Sequence, residues 1–315
     1  MIRKIKPLVI GIGVAGRRHM EAQLNLGYKT GIYTANPQTA KSARLQSNVI
    51  IFDNLDEGID WANLVHVCTP DDKHTEFVAK ALTKGKTVLC EKSFTTNLQD
   101  ALYLQDLAHK YGGSIFVGQN YRLTPTFAET RERVLKGQLG VISRIETTYF
   151  HDRTDFQRRY SDQYFLYIGG SHAVDLASWV IGEQIVSIQA FSKNELKYDV
   201  SINFSSGLKG DIKLDASSPR LISGTDLTVS GEKGKLISHN KLDKLLFQKN
   251  GTERSIPLPN SKTFTIPLEI KILDDYLLGR TTSYWPLPAI EEVISLIKIL
   301  NAIKKATFSG RTERV

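Results

Sequence analysis

The stretch VIGIGVAGRRH, residues Val9–His19, decides the fold, because an apolar run is followed by three glycines at a characteristic spacing. The pattern is G-x-G-x-x-G, and its glycines are Gly11, Gly13 and Gly16. This spacing indicates a nucleotide-binding turn only where a strand precedes it and a helix follows, within a βαβ unit.

Both neighbours of the glycines are predicted. Pro7–Ile12 is a short apolar run without alternation, typical of a buried parallel strand. Beyond Gly16, Met20 and Leu24 lie four residues apart in a segment that ends at Gly27, which indicates an amphipathic helix. We therefore predict a dinucleotide-binding loop, with the pyrophosphate at the N-terminus of the helix.

Composition places the chain among ordinary globular proteins of two domains. It has 315 residues, 41% hydrophobic and 23% charged, and no apolar run of about 20 residues that would span a membrane. The start, MIRKIKPLVIG, lacks the apolar core of a signal peptide, so we expect a cytoplasmic protein. Cys68 and Cys90 have no metal-ligand spacing, so we expect buried thiols and no metal.

The net charge of +8 does not indicate nucleic-acid binding, because 41 basic residues are spread among 33 acidic ones without a basic block. A basic protein attracts an anionic cofactor or substrate instead.

The chain changes its pattern near Tyr121. Before it, apolar strands alternate with helices, which predicts an α/β domain with a doubly wound parallel sheet over residues 1–121. After it, segments such as VISRIETTYF and KLLFQKNG alternate apolar and polar residues between turns. We therefore predict an α+β domain over residues 122–315, with a largely antiparallel open sheet.

Four further motifs resemble one family. They are VHVCTPDDKHTEFVAKALTKGKTVLCEKS (residues 65–93), GQNYRLTPTF (118–127), VLKGQLGVI (134–142) and GGSHAVDLASWVIG (169–182). With the glycine motif, and in this order, they resemble the glucose–fructose oxidoreductase and inositol dehydrogenase (Gfo/Idh/MocA) family. The resemblance implies a Rossmann-fold, nicotinamide-dependent oxidoreductase for sugars, cyclitols or sugar nucleotides, often a dimer or tetramer through its C-terminal sheet.

Two residues are predicted to be catalytic. Lys92 follows a predicted buried strand at the ligand-bearing edge of the sheet, where partial desolvation suits a lysine to exchange a proton with a substrate hydroxyl. The resemblance places His172 beside the substrate, at the opening of a helix and with Asp175 one turn further on. An imidazole there can bind or relay the same proton.

Two departures from the family pattern keep other functions open. Ile168 stands where many members carry an aspartate, and Ser93 stands where a proline usually follows Glu-Lys. One alternative is a cofactor-binding sensor or regulator without turnover. Another is a reductase of a C=N or C=C bond.

The second strand ends at Thr34, where NAD-preferring members carry an acidic residue for the ribose hydroxyls. The absence of that carboxylate, with Arg17 nearby as a phosphate partner, favours NADP over NAD. The predicted cofactor-binding residues are Gly11, Gly13, Val14, Ala15, Gly16, Arg17, Thr34, Ala35, Asn36, Thr69, Pro70, His74, Glu91 and Lys92.

The substrate is predicted to be a small molecule, with an anionic sugar derivative favoured by arginines in the loop before His172. The predicted substrate-binding residues are Asn120, Tyr121, Arg122, Arg153, Arg158 and Asp175, with Arg159 in the same loop.

Overall fold

A computed structural model describes residues 4–43, 46–151, 164–194, 196–217, 224–239, 244–258 and 265–315. The chain forms two compact units. One comprises Met1–Asn120 with Phe264–Ile294, and the other comprises Tyr121–Thr263 with Ser295–Val315. The first unit thus contains a segment, Phe264–Ile294, that is far from the rest of it in sequence.

The first unit contains the predicted parallel sheet. Its strands are β1 (Pro7–Ile10), β2 (Thr30–Tyr33), β3 (Val49–Ile51), β4 (Leu64–Val67), β5 (Thr87–Glu91) and β6 (Ser114–Gly118). They pair in parallel in the order β3-β2-β1-β4-β5-β6, the order of a dinucleotide-binding Rossmann fold. The two central strands β1 and β4 are buried along their whole length. Their sequences are apolar except for His66 of β4, which is buried as well.

Helices connect these strands. They are α1 (Val14–Asn25), α2 (Pro37–Ala43), α3 (Leu55–Trp61), α4 (His74–Leu82) and α5 (Leu98–Tyr111), with a 3-10 turn at Asp71–Lys73. Asparagines begin two of them: the side chain of Asn54 accepts hydrogen bonds from the first turn of α3, and that of Asn97 does the same for α5.

The returning segment supplies α8 (Thr265–Leu277), which packs against α1. Its buried side chains include Ile266, Ile270 and Leu273, at the spacing of one helix face. Burial of this apolar face against α1 explains why a segment so distant in sequence belongs to the first unit.

The second unit contains a nine-stranded open sheet. The strands are β7 (Ile142–Phe150), β8 (Ile185–Asn194), β9 (Lys197–Phe204), β10 (Lys209–Asp215), β11 (Gly224–Gly231), β12 (Gly234–His239), β13 (Lys244–Lys249), β14 (Thr252–Ile256) and β15 (Glu313–Arg314). Every pairing is antiparallel except that of β10 with β7. The predicted fold class, a Rossmann domain followed by an α+β domain with a largely antiparallel sheet, is confirmed.

Three helices complete the order of elements: α6 (Pro125–Leu135), α7 (Tyr164–Ile181) and α9 (Ile290–Ser309). Helix α7 packs against β7 and β10, and α6 packs against α7 and β12. The expectation that a helix opens at His172 is wrong, because α7 begins about two turns earlier, at Tyr164. Within the described ranges, no helix combines the length and the apolar character that a membrane crossing needs.

Candidate active site

Two of the three loop glycines are required by the protein itself. Gly11 has φ +86°, and a Cβ there would lie 2.9 Å from the carbonyl oxygen of Cys68. A Cβ on Gly16 would lie 1.9 Å from the carbonyl oxygen of Gly11. A side chain at either position would therefore disturb the packing of α1 on the turn.

Gly13 is different, because a Cβ added there would have no atom within 4 Å among the described residues outside its own chain neighbours and helix backbone. Its φ of −78° is open to any residue, and it begins α1 without a side-chain cap. The next residue, Val14, is 75% exposed. An uncapped helix N-terminus beside open space fits the pyrophosphate of a dinucleotide, which the free N–H groups and the helix dipole would bind.

The end of β2 carries no carboxylate. The Thr34 hydroxyl oxygen accepts a hydrogen bond from the backbone N–H of Asn36 at 3.3 Å. The Asn36 side-chain oxygen accepts from the N–H groups of Gln38 and Thr39, which begin α2. Asn36 therefore acts as a helix cap. Ala35 lies beside it, and the side chain of Arg17 is exposed on the first turn of α1.

His74 joins the ends of β4 and β5. Its ring is buried, with Nε2 at 2.9 Å from the carbonyl oxygen of Thr69 and Nδ1 at 2.8 Å from that of Ser93. Carbonyl oxygens only accept, so both bonds form together only when both ring nitrogens carry a proton. Its predicted contact with the cofactor stays a prediction, as does that of Thr69 and Pro70.

Glu91 and Lys92 lie at the end of β5, and the peptide bond between Lys92 and Ser93 is cis. The Glu91 carboxylate accepts a hydrogen bond from the backbone N–H of Lys92 at 3.3 Å and another from His19 Nε2 at 3.0 Å. Burial acts to raise the pKa of Glu91, but the His19 hydrogen bond and the positive charge of Lys92 act in the opposite direction, and the net effect lowers that pKa. Glu91 is therefore an anion beside the predicted catalytic lysine.

A chain of buried polar side chains continues inward from Glu91. His19 Nδ1 lies 3.0 Å from His66 Nδ1, and His66 Nε2 lies 3.2 Å from Gln23 Nε2. Gln23 Nε2 also donates to Asp274 Oδ1 at 3.4 Å. We refer to Glu91, His19, His66, Gln23 and Asp274 as the polar chain.

The inner members of the polar chain were not predicted from the sequence. One signal was available for two of them, since His19 and Gln23 are four residues apart on the same face of α1 as the apolar Met20. No comparable signal exists for Asp274, which reaches the chain from α8.

Two carboxyl groups of α8 have unusual proton affinity. Glu269 is fully buried, and neither of its carboxyl oxygens has a hydrogen-bond partner among the described residues. Burial, with the negative charge of Glu91, raises its pKa well above the ordinary value, which favours the protonated form. Burial likewise raises the pKa of Asp274 to about 7.

In the second unit, His172 lies in the middle of α7 and is buried. Its imidazole stacks on the ring of Tyr121, with centroids 3.8 Å apart and planes at 12°. Ile168, one helical turn before it, is also buried, so the position at which the family pattern has an aspartate presents an apolar side chain.

Arg122 and Asp175 form an ion pair in the same unit. Arg122 Nε donates to Asp175 Oδ2 at 2.9 Å and Nη2 donates to Oδ1 at 2.6 Å, and each side chain is 5% exposed. Each therefore compensates the buried charge of the other. Their predicted contact with substrate stays a prediction, and so does that of Asn120. Arg153, Arg158 and Arg159 lie outside the described residues.

The parallel sheet, its uncapped glycine loop and the appended mixed sheet define a class, that of two-domain proteins with an NAD-binding Rossmann fold. Two family models match the chain: the oxidoreductase family with an NAD-binding Rossmann fold over residues 5–119, and the GFO/IDH/MocA C-terminal domain over residues 127–237. The chain belongs to the Gfo/Idh/MocA family, as its motifs predict.

Individual relatives agree with this assignment. An uncharacterized oxidoreductase of Schizosaccharomyces pombe is 31% identical over 56% of this chain and 52% of its own length. Glucose-6-phosphate 3-dehydrogenase of Bacillus subtilis is 30% identical over 45% of this chain and 41% of its own length. The chain thus spans about half the length of these relatives.

Among solved structures, levoglucosan dehydrogenase in complex with NADH superposes with a TM-score of 0.86. The match covers 99% of each chain at 18% identity. At that identity the likeness concerns the fold.

Proposed function

We propose that the protein is an NAD(P)-dependent oxidoreductase that interconverts a secondary hydroxyl and a ketone on a sugar, cyclitol or sugar-nucleotide-like substrate. One observation carries this proposal. Lys92 follows β5 at the same edge of the parallel sheet as the glycine loop after β1 and Thr69-Pro70 after β4. Ligands of open parallel sheets bind at this edge.

The proposed chemistry separates a hydride from a proton. A nicotinamide dinucleotide bound at the glycine loop would supply the hydride acceptor for the carbinol carbon, or the hydride donor for the ketone. Lys92 takes the hydroxyl proton as the C=O bond forms, and returns it in the reverse direction. His172 assists this proton transfer. The glycine loop, through Gly11, Gly13 and Gly16, holds the dinucleotide.

The proposed cofactor preference is for NADP, because Thr34 places no negative charge where a 2′-phosphate would lie. Arg17, exposed in the first turn of α1, is the proposed phosphate partner.

An anionic sugar derivative is the proposed substrate class. A relative acts, by its name, on glucose 6-phosphate, and this chain carries Arg153, Arg158 and Arg159 before His172. Since Arg122 is paired with Asp175, we assign recognition of the anion to these loop arginines.

A homodimer or homotetramer through the nine-stranded sheet is also proposed. Residues of β9 alternate buried and exposed, and the neighbouring Phe191 of β8 is 60% exposed. The family resemblance favours a second copy as the occupant of this face. Sedimentation of the wild type and of Phe191→Lys tests this, and a monomeric wild type would contradict it.

Single-turnover hydride transfer tests the proposed chemistry. The purified protein is screened with NADP and NAD against polyols, sugar phosphates and imines, and Lys92→Met is then compared with wild type on the best substrate. We expect a loss of about 10²- to 10⁴-fold, the range for removal of a general acid or base. The exposed Lys80 offers a matched control, Lys80→Met, with unchanged rate.

His172→Ala is expected to slow the same step. The fold-loss in rate of the double variant, Lys92→Met with His172→Ala, should be smaller than the product of the two single fold-losses, because both residues act on one proton. A rate for Lys92→Met equal to wild type would remove Lys92 from the proposal. Turnover of imines alone would favour the C=N reductase.

A further inference from the structure

We propose that His66 and Gln23 are positioning residues that act through His19. Their hydrogen bonds all run in one direction and hold His19 in the tautomer that donates from Nε2. That donor in turn fixes the Glu91 carboxylate beside Lys92. None of these three side chains was assigned a role above. The kinetic part of the inference rests on the proposed role of Lys92, whereas the tautomers can be measured without it.

The direction of the hydrogen bonds follows from the two ends of the polar chain. An ionised carboxylate only accepts, so the 3.0 Å contact with Glu91 Oε1 requires a proton on His19 Nε2. At the other end, Gln23 Nε2 donates to His66 Nε2, and burial lowers the pKa of His66 well below its ordinary value, so the one proton of His66 lies on Nδ1. The 3.0 Å contact between the two Nδ1 atoms then makes His19 the acceptor there. His66 Nε2 is left as an acceptor, which Gln23 Nε2 satisfies at 3.2 Å.

Gln23 fixes this direction because its amide has two distinct ends. Its nitrogen is the atom that faces both His66 Nε2 and Asp274 Oδ1, and an amide nitrogen donates but does not accept. If the amide were turned over, its oxygen would have to accept from a protonated Asp274 and from His66 Nε2, and His66 and a neutral His19 would both need the opposite tautomer. Such an arrangement would remove the donor from Glu91.

These proton positions leave no path for a proton from Glu91 to Asp274. A proton leaving Glu91 would have to enter His19 at Nε2, which is already protonated, and the amide of Gln23 accepts none at nitrogen. The polar chain therefore holds a charge in place and does not conduct protons.

The consequence at the site is a fixed carboxylate. Glu91 accepts from His19 on one oxygen and from the Lys92 backbone N–H on the other, so it ties α1 to the turn that carries Lys92. The titratable groups that act on Glu91 are His19 from α1, Lys92, His74 from α4, Glu269 from α8 and the thiols of Cys68 and Cys90. His19 is the side chain among them that donates a hydrogen bond to it.

Paired substitutions separate the hydrogen bond from the volume of the side chain. The glutamine side-chain nitrogen can occupy the place of imidazole Nε2, and that of asparagine the place of Nδ1. His66→Asn therefore keeps the donor to His19, whereas His66→Gln loses it. Conversely, His19→Gln keeps the donor to Glu91 and His19→Asn loses it.

The first measurement is the nitrogen spectrum of the histidine rings in the ¹⁵N-labelled protein without cofactor. In the wild type we expect His19 to be protonated on Nε2 and His66 on Nδ1. In His66→Gln we expect His19 to become a mixture of its two tautomers. The opposite tautomers in wild type, or a His19 signal unchanged by His66→Gln, would overturn the inference whatever Lys92 does.

The second measurement is the pH dependence of single-turnover hydride transfer. We expect His66→Gln and His19→Asn to slow it by about 10- to 100-fold, the value of one hydrogen bond to a charged group, and to move the acidic limb to higher pH. His66→Asn and His19→Gln should keep the wild-type limb. If the Asn and Gln variants of each histidine had the same pH profile of hydride transfer and the same thermal stability, both histidines would only fill space, and the inference would be wrong.

Discussion

His19 Nε2 donates a hydrogen bond to Glu91 Oε1 over 3.0 Å, which joins the helix of the glycine loop to the strand that carries Lys92. The contact links two parts of the site that are far apart in sequence. The N-terminus of α1 lies beside the open space at Gly13, and His19 of the same helix hydrogen-bonds to Glu91. A change in α1 can therefore affect either cofactor binding or proton transfer, according to which residue is altered.

Gly13→Val separates cofactor binding from folding. The fold is expected to persist, because a Cβ at Gly13 meets nothing within 4 Å among the described residues outside its own chain neighbours and helix backbone, whereas the pyrophosphate needs that space. We expect calorimetry to detect no binding of NADP or NAD, with an unfolding temperature close to wild type.

Gly16→Ala is the contrasting variant, since its Cβ would lie 1.9 Å from the Gly11 carbonyl oxygen. It should lose stability as well as binding. Wild-type cofactor affinity in Gly13→Val would refute the assignment of the loop.

Thr34→Asp tests the cofactor preference. A carboxylate at this position should repel a 2′-phosphate and hydrogen-bond to free ribose hydroxyls, which shifts the ratio of dissociation constants toward NAD. Thr34→Asn is the control, because it has the size of aspartate without the charge. A wild-type protein that binds NAD tenfold more tightly than NADP, about 1.4 kcal/mol, would show the preference to be wrong.

Asp274 predicts a pH dependence of stability. Because its pKa is raised to about 7 by burial, the folded protein binds this proton more tightly than the unfolded chain does. This contribution to stability is complete below about pH 4 and is lost as the pH rises to about 7.

Asp274→Asn removes that titration. Its free energy of unfolding relative to wild type should be higher at pH 8 than at pH 5 by about 2 to 3 kcal/mol, at about 1.4 kcal/mol per pKa unit. Urea denaturation at both pH values measures the difference. The contribution of Glu269 to the pH dependence cancels in the comparison, because both proteins contain Glu269. An offset that is the same at both pH values would contradict the raised pKa.

The Arg122–Asp175 pair predicts a stability defect in the second unit. Arg122→Met leaves the Asp175 carboxylate buried without its guanidinium, which should cost about 3 to 5 kcal/mol of unfolding free energy. The double variant Arg122→Met with Asp175→Leu should recover much of the loss.

The exposed Lys80–Glu76 pair supplies the comparison, because Lys80→Met should cost less than about 1 kcal/mol. Equal losses in Arg122→Met and Lys80→Met would show that burial of the Arg122 pair does not matter.

The local elements of this protein were determined by its sequence. Alternation, apolar runs and glycine spacing act over a few residues, so they predicted β1, the loop at Gly11 and Gly13, and the change to a half-exposed sheet after Tyr121. They also placed Lys92 at the end of a buried strand, because the end of an apolar run is visible in the sequence.

Only the tertiary structure decided which distant residues meet. The return of α8 to the first unit places Asp274 next to Gln23 and leaves Glu269 buried near Glu91, more than 170 residues away along the chain. The pairing of Arg122 with Asp175 is likewise a contact between separate elements. Such contacts depend on which apolar faces pack together, and the period of a segment shows that it has a buried face without showing what covers it.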